Sequence, residues 1–116
     1  MIIAVQGTAS FDDYNVFLRS MSVAMSGKKP EDKEIKVYSL GPKTINSFVT
    51  GFCNLTERSL KSRGLKIKHS RVPVSWIENE LDSIDYFIFL SKPNEYASKI
   101  SAQAELKGVE VGWFRY

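Results

Sequence analysis

Two runs of β-favouring apolar residues constrain this chain most: Ile2 to Val5, and Tyr86 to Leu90 within a strand read as Ile84 to Leu90. A strand with no polar alternation has to be covered on both faces, which calls for a sheet with helices above and below it. Helical patterns do lie between the runs. After Gln6-Gly7-Thr8, Asp12 or Asp13 can cap a helix from Tyr14 to Met25 whose Val16, Phe17, Met21, Ala24 and Met25 share one face. Gly27 is its expected stop, and Gly27 to Asp32 is the stretch expected to be least ordered.

A second β-turn-α unit follows. Ile35, Val37 and Tyr38 form a strand ending at Ser39-Leu40-Gly41-Pro42. A long helix begins at Pro42 or Thr44, carries Ile45, Phe48, Val49, Phe52, Cys53 and Leu60 on one stripe, and stops at Gly64. Leu65, Ile67 and His69 then alternate with Lys66 and Lys68, the pattern of a strand buried on one face only. A short helix over Ser75 to Leu81, the strand Ile84 to Leu90, a helix over Asn94 to Lys107 and a strand over Val109 to Phe114 complete the chain.

This alternation predicts a single open, mainly parallel five-stranded Rossmann-like sheet with helices on both faces. Putting the two fully apolar strands in the middle and the alternating ones outside gives the order 3-2-1-4-5. At 116 residues, with 43% apolar and 25% charged residues, the chain suits one packed domain, residues 1–116. No apolar run approaches the roughly 20 residues that cross a bilayer, and the basic start of a signal peptide is missing. A soluble cytoplasmic protein without membrane contact is therefore expected. The single cysteine, Cys53, excludes an internal disulfide, and its place on the apolar stripe predicts an unreactive core thiol.

In an open parallel sheet a ligand binds beyond the carboxyl ends of the strands where the winding direction reverses, here between the first and fourth strands. Three loops meet that place, and their glycines, hydroxyls and lysines suit an anionic ligand. The candidate ligand-binding residues are Gly7, Thr8, Ser10, Asp12, Gly41, Lys43, Thr44, Ser91 and Lys92. The same residue types are also what turns require, and Asp12 equally suits a helix cap. The first loop has one glycine, so it is neither a dinucleotide fingerprint nor a phosphate-binding GxxxxGK[ST] loop. His69 reads as a packed histidine, and Ser91 has no evident histidine partner. Catalytic residues, metal ligands and a resident cofactor are not expected, and an enzyme has the least support.

The net charge of +3 is a modest basic excess, concentrated in Arg58, Lys61, Arg63, Lys66, Lys68 and Arg71 with no acid between Arg58 and Arg71. That stretch supports an alternative reading as a nucleic-acid-binding accessory, although lysines also keep an edge strand from pairing wrongly. A third reading is a structural or protein-interaction subunit. If Trp113, Phe114 and Tyr116 were exposed together, the last strand would be a homodimer edge.

Ile3-Ala4-Val5-Gln6-Gly7-Thr8 followed by Phe11-Asp12-Asp13-Tyr14 resembles the opening of small SLOG-superfamily proteins, where a strand and glycine precede an F-x-D-Y helix entry. Ser39-Leu40-Gly41, Val72-Pro73-Val74-Ser75-Trp76 and Asp85 to Leu90 look like their second glycine loop, fPxxW segment and fourth strand. The AVQGT…DDYNVFLR opening, LSKP and the ELKGVEVGWFRY ending are also similar to small proteins of large tailed phages. The SLOG resemblance implies a nucleotide or nucleotide-derived signal near Gly7, Thr8, Gly41 and Ser91. It also marks a departure: Gly41-Pro42-Lys43-Thr44 stands where the phosphoribohydrolase branch carries PGGxGT…E, so binding without turnover is expected.

Overall fold

The computed structural model describes residues 1–115. In chain order the elements are β1 Ile2–Gly7, α1 Tyr14–Met25, β2 Glu34–Ser39, α2 Lys43–Lys61, β3 Lys66–Arg71, α3 Val74–Glu80 with a 3₁₀ turn Leu81–Ser83, β4 Tyr86–Ser91, α4 Lys99–Leu106 and β5 Glu110–Arg115. All strand pairs are parallel, and the sheet runs β3-β2-β1-β4-β5. The order expected from the burial patterns is the order found.

Every residue of β4 is buried because helices cover both its faces, whereas β3 buries only Ile67 between exposed Lys66 and Lys68 and β5 has no fully buried residue, as suits the two edges of the sheet. One face of the sheet packs Ile3, Val5, Ile35, Val37, Ile88 and Leu90 against Val16, Phe17, Met21 and Ala24 of α1 and Ile45, Val49 and Cys53 of α2. Tyr14, Phe17, Phe48 and Phe52 meet ring to ring where α1 and α2 touch, at centroid separations of 5.1 to 6.0 Å. The opposite face packs Ala4, Phe87 and Phe89 under Ile77 and Leu81 of the α3 segment and Ile100 and Ala104 of α4. Among the described residues no helix is long and apolar enough to cross a membrane.

The helix boundaries follow local chemistry. Asp13, not Asp12, caps α1 by accepting the Val16 N–H at 3.1 Å. Gly64 closes α2 with a φ of +75°, the left-handed geometry that favours glycine. Within Gly27 to Asp32, Asp32 folds back to accept the Lys29 N–H at 3.0 Å and closes a turn. The main departure is α4, which begins at Lys99 and not at Asn94, with Ser98 capping it through the Ser101 N–H at 3.1 Å. Residues 92 to 98 are thereby left as a loop.

Candidate functional site

After β1 the chain crosses to α1 on one face of the sheet, and after β4 it reaches α4 on the other. The loops following the two strands therefore leave the carboxyl end of the sheet toward opposite faces. The Thr8 N–H donates to Leu90 O at 3.0 Å, carrying the ladder one step past β1. The Phe11 N–H then donates to Thr8 O at 3.2 Å, which turns the chain and sinks the Phe11 ring into the core. Thr8 and Ser10 are left with their hydroxyls facing the β4–α4 loop.

Glu95 meets them. Its Oε1 accepts the Thr8 hydroxyl and the Lys92 backbone N–H, each at 2.7 Å, and its Oε2 accepts the Ser10 hydroxyl at 2.8 Å. The Lys92 N–H foremost, then the Thr8 hydroxyl, hold the Glu95 carboxyl below the usual glutamate range; Ser10 and the Lys92 charge act the same way, against partial desolvation. A second tie fixes the far end of the loop, where the Ser98 hydroxyl donates to Gln6 Oε1 at 2.5 Å. The β4–α4 loop is thus strapped over the carboxyl end of β1.

Of the residues expected at the site, Thr8, Ser10, Asp12, Ser91 and Lys92 gather here. Asp12 leaves capping to Asp13, and its carboxylate lies 3.5 Å from Lys92 Nζ. Ser91 is fully buried; its hydroxyl accepts from Trp113 Nε1 at 2.7 Å and donates to Lys92 O at 3.1 Å. Gly7 has a packing reason: a Cβ there would lie 2.5 Å from Ile45 Cδ1 and 2.7 Å from Ile45 Cγ1, so its bareness lets α2 close on β1. Gly41, Lys43 and Thr44 sit at the β2–α2 turn, where the Gly41–Pro42 peptide is cis. Among the described residues no side-chain hydrogen bond joins those three to the Glu95 cluster.

Glu95 itself lies outside that set of nine. Its place within an apparent helix concealed it, and the turn pair Pro93-Asn94 together with the capping residue Ser98 were the signals that a loop precedes α4.

His69 is half-buried, as its strand pattern predicts, and both ring nitrogens are engaged. The Thr50 hydroxyl donates to Asn46 O at 2.8 Å, which makes its oxygen the acceptor for His69 Nδ1–H at 3.2 Å. Nε2 is then free to accept the Ser39 hydroxyl at 2.7 Å. Burial, then the nearby Arg71 charge, lowers the His69 pKa, so the ring is neutral at neutral pH. Cys53 is buried, and desolvation with a smaller push from Glu57 raises its thiol to about 11.

The basic stretch is only partly assembled. Lys61, Lys66 and Lys68 line a groove of about 230 Å³ with Leu65, Ile67 and Glu57, and Arg58 and Lys61 line a neighbouring one of about 350 Å³. Lys68 Nζ also pairs with Glu34 at 3.4 Å. Arg63 lies in the turn after α2, and Arg71 ends β3 at the opposite end of the sheet from Lys66. At the other sheet edge Trp113 is exposed, but Phe114 is half-buried against the core. Tyr116 lies outside the described residues.

No group of His, Cys, Asp and Glu able to hold a metal ion occurs among the described residues. No family model matches the chain, and no curated protein or solved structure is significantly similar to it.

Proposed function

We propose that the protein binds a nucleotide or nucleotide-derived signal at the carboxyl end of the sheet and does not turn it over. One observation carries this reading: two hydroxyls and a backbone N–H converge on the two oxygens of a single carboxylate at the carboxyl ends of β1 and β4. Donors placed to serve two oxygens of a carboxylate also suit two oxygens of a phosphate. Lys92 Nζ, paired with Asp12 at 3.5 Å, is near enough for its charge to act on the same Glu95 carboxylate. Glu95 then acts as a built-in stand-in that an incoming phosphate displaces.

Binding without chemistry is supported by the state of two candidate nucleophiles, Ser91 and Cys53. The Ser91 hydroxyl is buried and committed to Lys92 O and Trp113, and the Cys53 thiol is pushed far above neutral pH. The resemblance to tailed-phage proteins gives such a binder a role in sequestering a signalling nucleotide in an infected cell. Calorimetry with ADP-ribose, cyclic nucleotides and mononucleotides tests the reading. Heat that is lost in Thr8→Val with Ser10→Ala supports it; no heat with any of them counts against it.

A nucleic-acid-binding role is the second reading, favoured by the adjoining grooves that Arg58, Lys61, Lys66 and Lys68 line. It predicts binding that weakens steeply with salt, with a shallower salt slope after Lys61→Ala. An absence of any gel shift at low salt retires it.

A further inference from the structure

β3 is the last strand on its side of the sheet, and its outer edge is open: among the described residues only β2 pairs with it. The bonds at its two ends fix which residues that edge presents. The Lys66 N–H donates to Lys33 O and the Val72 N–H to Ser39 O, each at 3.0 Å, so the even-numbered residues from Lys66 to Val72 turn their backbone groups toward β2. Ile67, His69 and Arg71 therefore turn their N–H and C=O groups outward, a row of donors and acceptors that another strand would complete.

Beside this edge, between the last turns of α2 and the start of β3, lies the groove of about 230 Å³ lined by Leu65, Ile67, Lys61, Lys66, Lys68 and Glu57. Whole small-molecule pockets run from roughly 300 Å³ upward, so this one suits one or two side chains of a longer ligand. The two faces of the strand differ in chemistry. Ile67 and His69 lie on the face that α2 packs against, whereas Lys66 and Lys68 are exposed on the opposite face. Lys68 Nζ has Glu34 at 3.4 Å, but an exposed pair contributes little and leaves the lysine able to meet a second carboxylate.

We infer that the β3 edge is a docking site for an extended acidic segment of a partner protein, taken up as an added strand. Such a strand sets its side chains alternately on the two faces. Those beside Lys66 and Lys68 are then Asp or Glu, and those between them, over Leu65 and Ile67 in the groove, are Val, Ile or Leu. Charge and backbone chemistry choose this occupant over two others. A second copy joined through β3 sets Lys66 and Lys68 against their own counterparts, which is unfavourable. A phosphate backbone offers acceptors alone and leaves the outward carbonyls of Ile67 and His69 without donors, whereas a peptide brings both. The groove lies at the amino end of β3, away from the Glu95 knot, so the inference is independent of the nucleotide reading.

The test is fluorescence anisotropy with a labelled, capped peptide alternating glutamate and valine. A peptide of the same composition, with glutamates and valines in separate blocks, is the control. Saturable binding of the alternating peptide is expected, at least about tenfold tighter than the block peptide. N-methylation reads the main-chain bonds: methylating one of the two alternating sets should abolish binding, and methylating the other, whose N–H groups face away from β3, should be tolerated. Lys66→Glu with Lys68→Glu, both exposed changes, is expected to lose the peptide at least about tenfold and to take up the lysine and valine counterpart instead. If that variant melts early, Lys66→Gln with Lys68→Gln still reports the loss.

Equal binding of the block and alternating peptides, or binding that survives both methylations, overturns the added strand. A dimer that the lysine variant breaks makes the occupant a second copy and overturns the inference as well. No binding of the alternating peptide also overturns it, and a DNA oligonucleotide that binds instead, and is lost in the lysine variant, returns these lysines to the nucleic-acid reading.

Discussion

Thr8 and Glu95 stand 87 positions apart in the chain, and the Thr8 hydroxyl donates to Glu95 Oε1 at 2.7 Å, tying the loop after the first strand to the loop after the fourth. Ser10 and the Lys92 N–H complete the same knot. Two consequences follow from its being built around a carboxylate: it titrates, and it competes with any anion that seeks the same donors.

The titration has a definite sign. The Glu95 pKa is lowered in the folded chain, so its contribution to stability is fully present above the usual glutamate value of 4.5 and is lost as pH falls through the lower folded value. Thermal melts of the unaltered protein and Glu95→Gln should therefore differ at neutral pH and converge in acid. A gap that stays constant from neutral to acid pH would show that the carboxylate charge plays no part.

The competition predicts that Glu95→Ala tightens phosphate-bearing ligands. Removing the internal occupant frees three donors, and any added disorder in residues 92 to 98 works against that gain. Parallel calorimetric titrations of the two proteins measure the balance, and an affinity that drops in Glu95→Ala counts against the carboxylate as a displaceable occupant of these donors.

Gly7 is a test of packing as distinct from binding. Gly7→Ala drives a methyl into Ile45, which is fully buried, and should cost about 1–3 kcal/mol in denaturant unfolding. Combining it with Ile45→Val, which removes the Cδ1 atom in the way, should recover part of that loss. Strict additivity of the two changes would contradict the contact.

His69 should titrate below its ordinary 6.5, since burial opposes its charged form. Its neutral ring then favours the fold fully above 6.5, and that contribution fades as pH falls through the lower folded value. An NMR titration gives the midpoint, and His69→Gln should remove that part of the pH dependence. Cys53, raised to about 11, should resist alkylating reagents at neutral pH until the chain is unfolded.

The sheet was legible in the chain because burial writes itself into local pattern: β1 is apolar from Ile2 to Val5 and β4 from Tyr86 to Leu90, β3 alternates with Lys66 and Lys68, and from these the strand order follows. The winding rule likewise singled out Thr8, Ser10 and Lys92, which meet at Glu95 at one end of the sheet. Glu95 was not legible, because its role is set by partners across 85 and 87 positions, and locally it reads as a polar surface position ahead of the helix that carries Ile100 and Ala104. Gly7 shows the converse: its position was anticipated, but its reason, the Ile45 side chain pressed against it, lies on a different element.

Native mass spectrometry of the protein purified from the cells that make it, compared with the same sample after denaturation, tests the binding claim most directly. The account predicts a nucleotide-sized mass that leaves on unfolding and is missing from the Thr8→Val, Ser10→Ala double variant. A bare chain that stays bare when nucleotides are added in excess would contradict it.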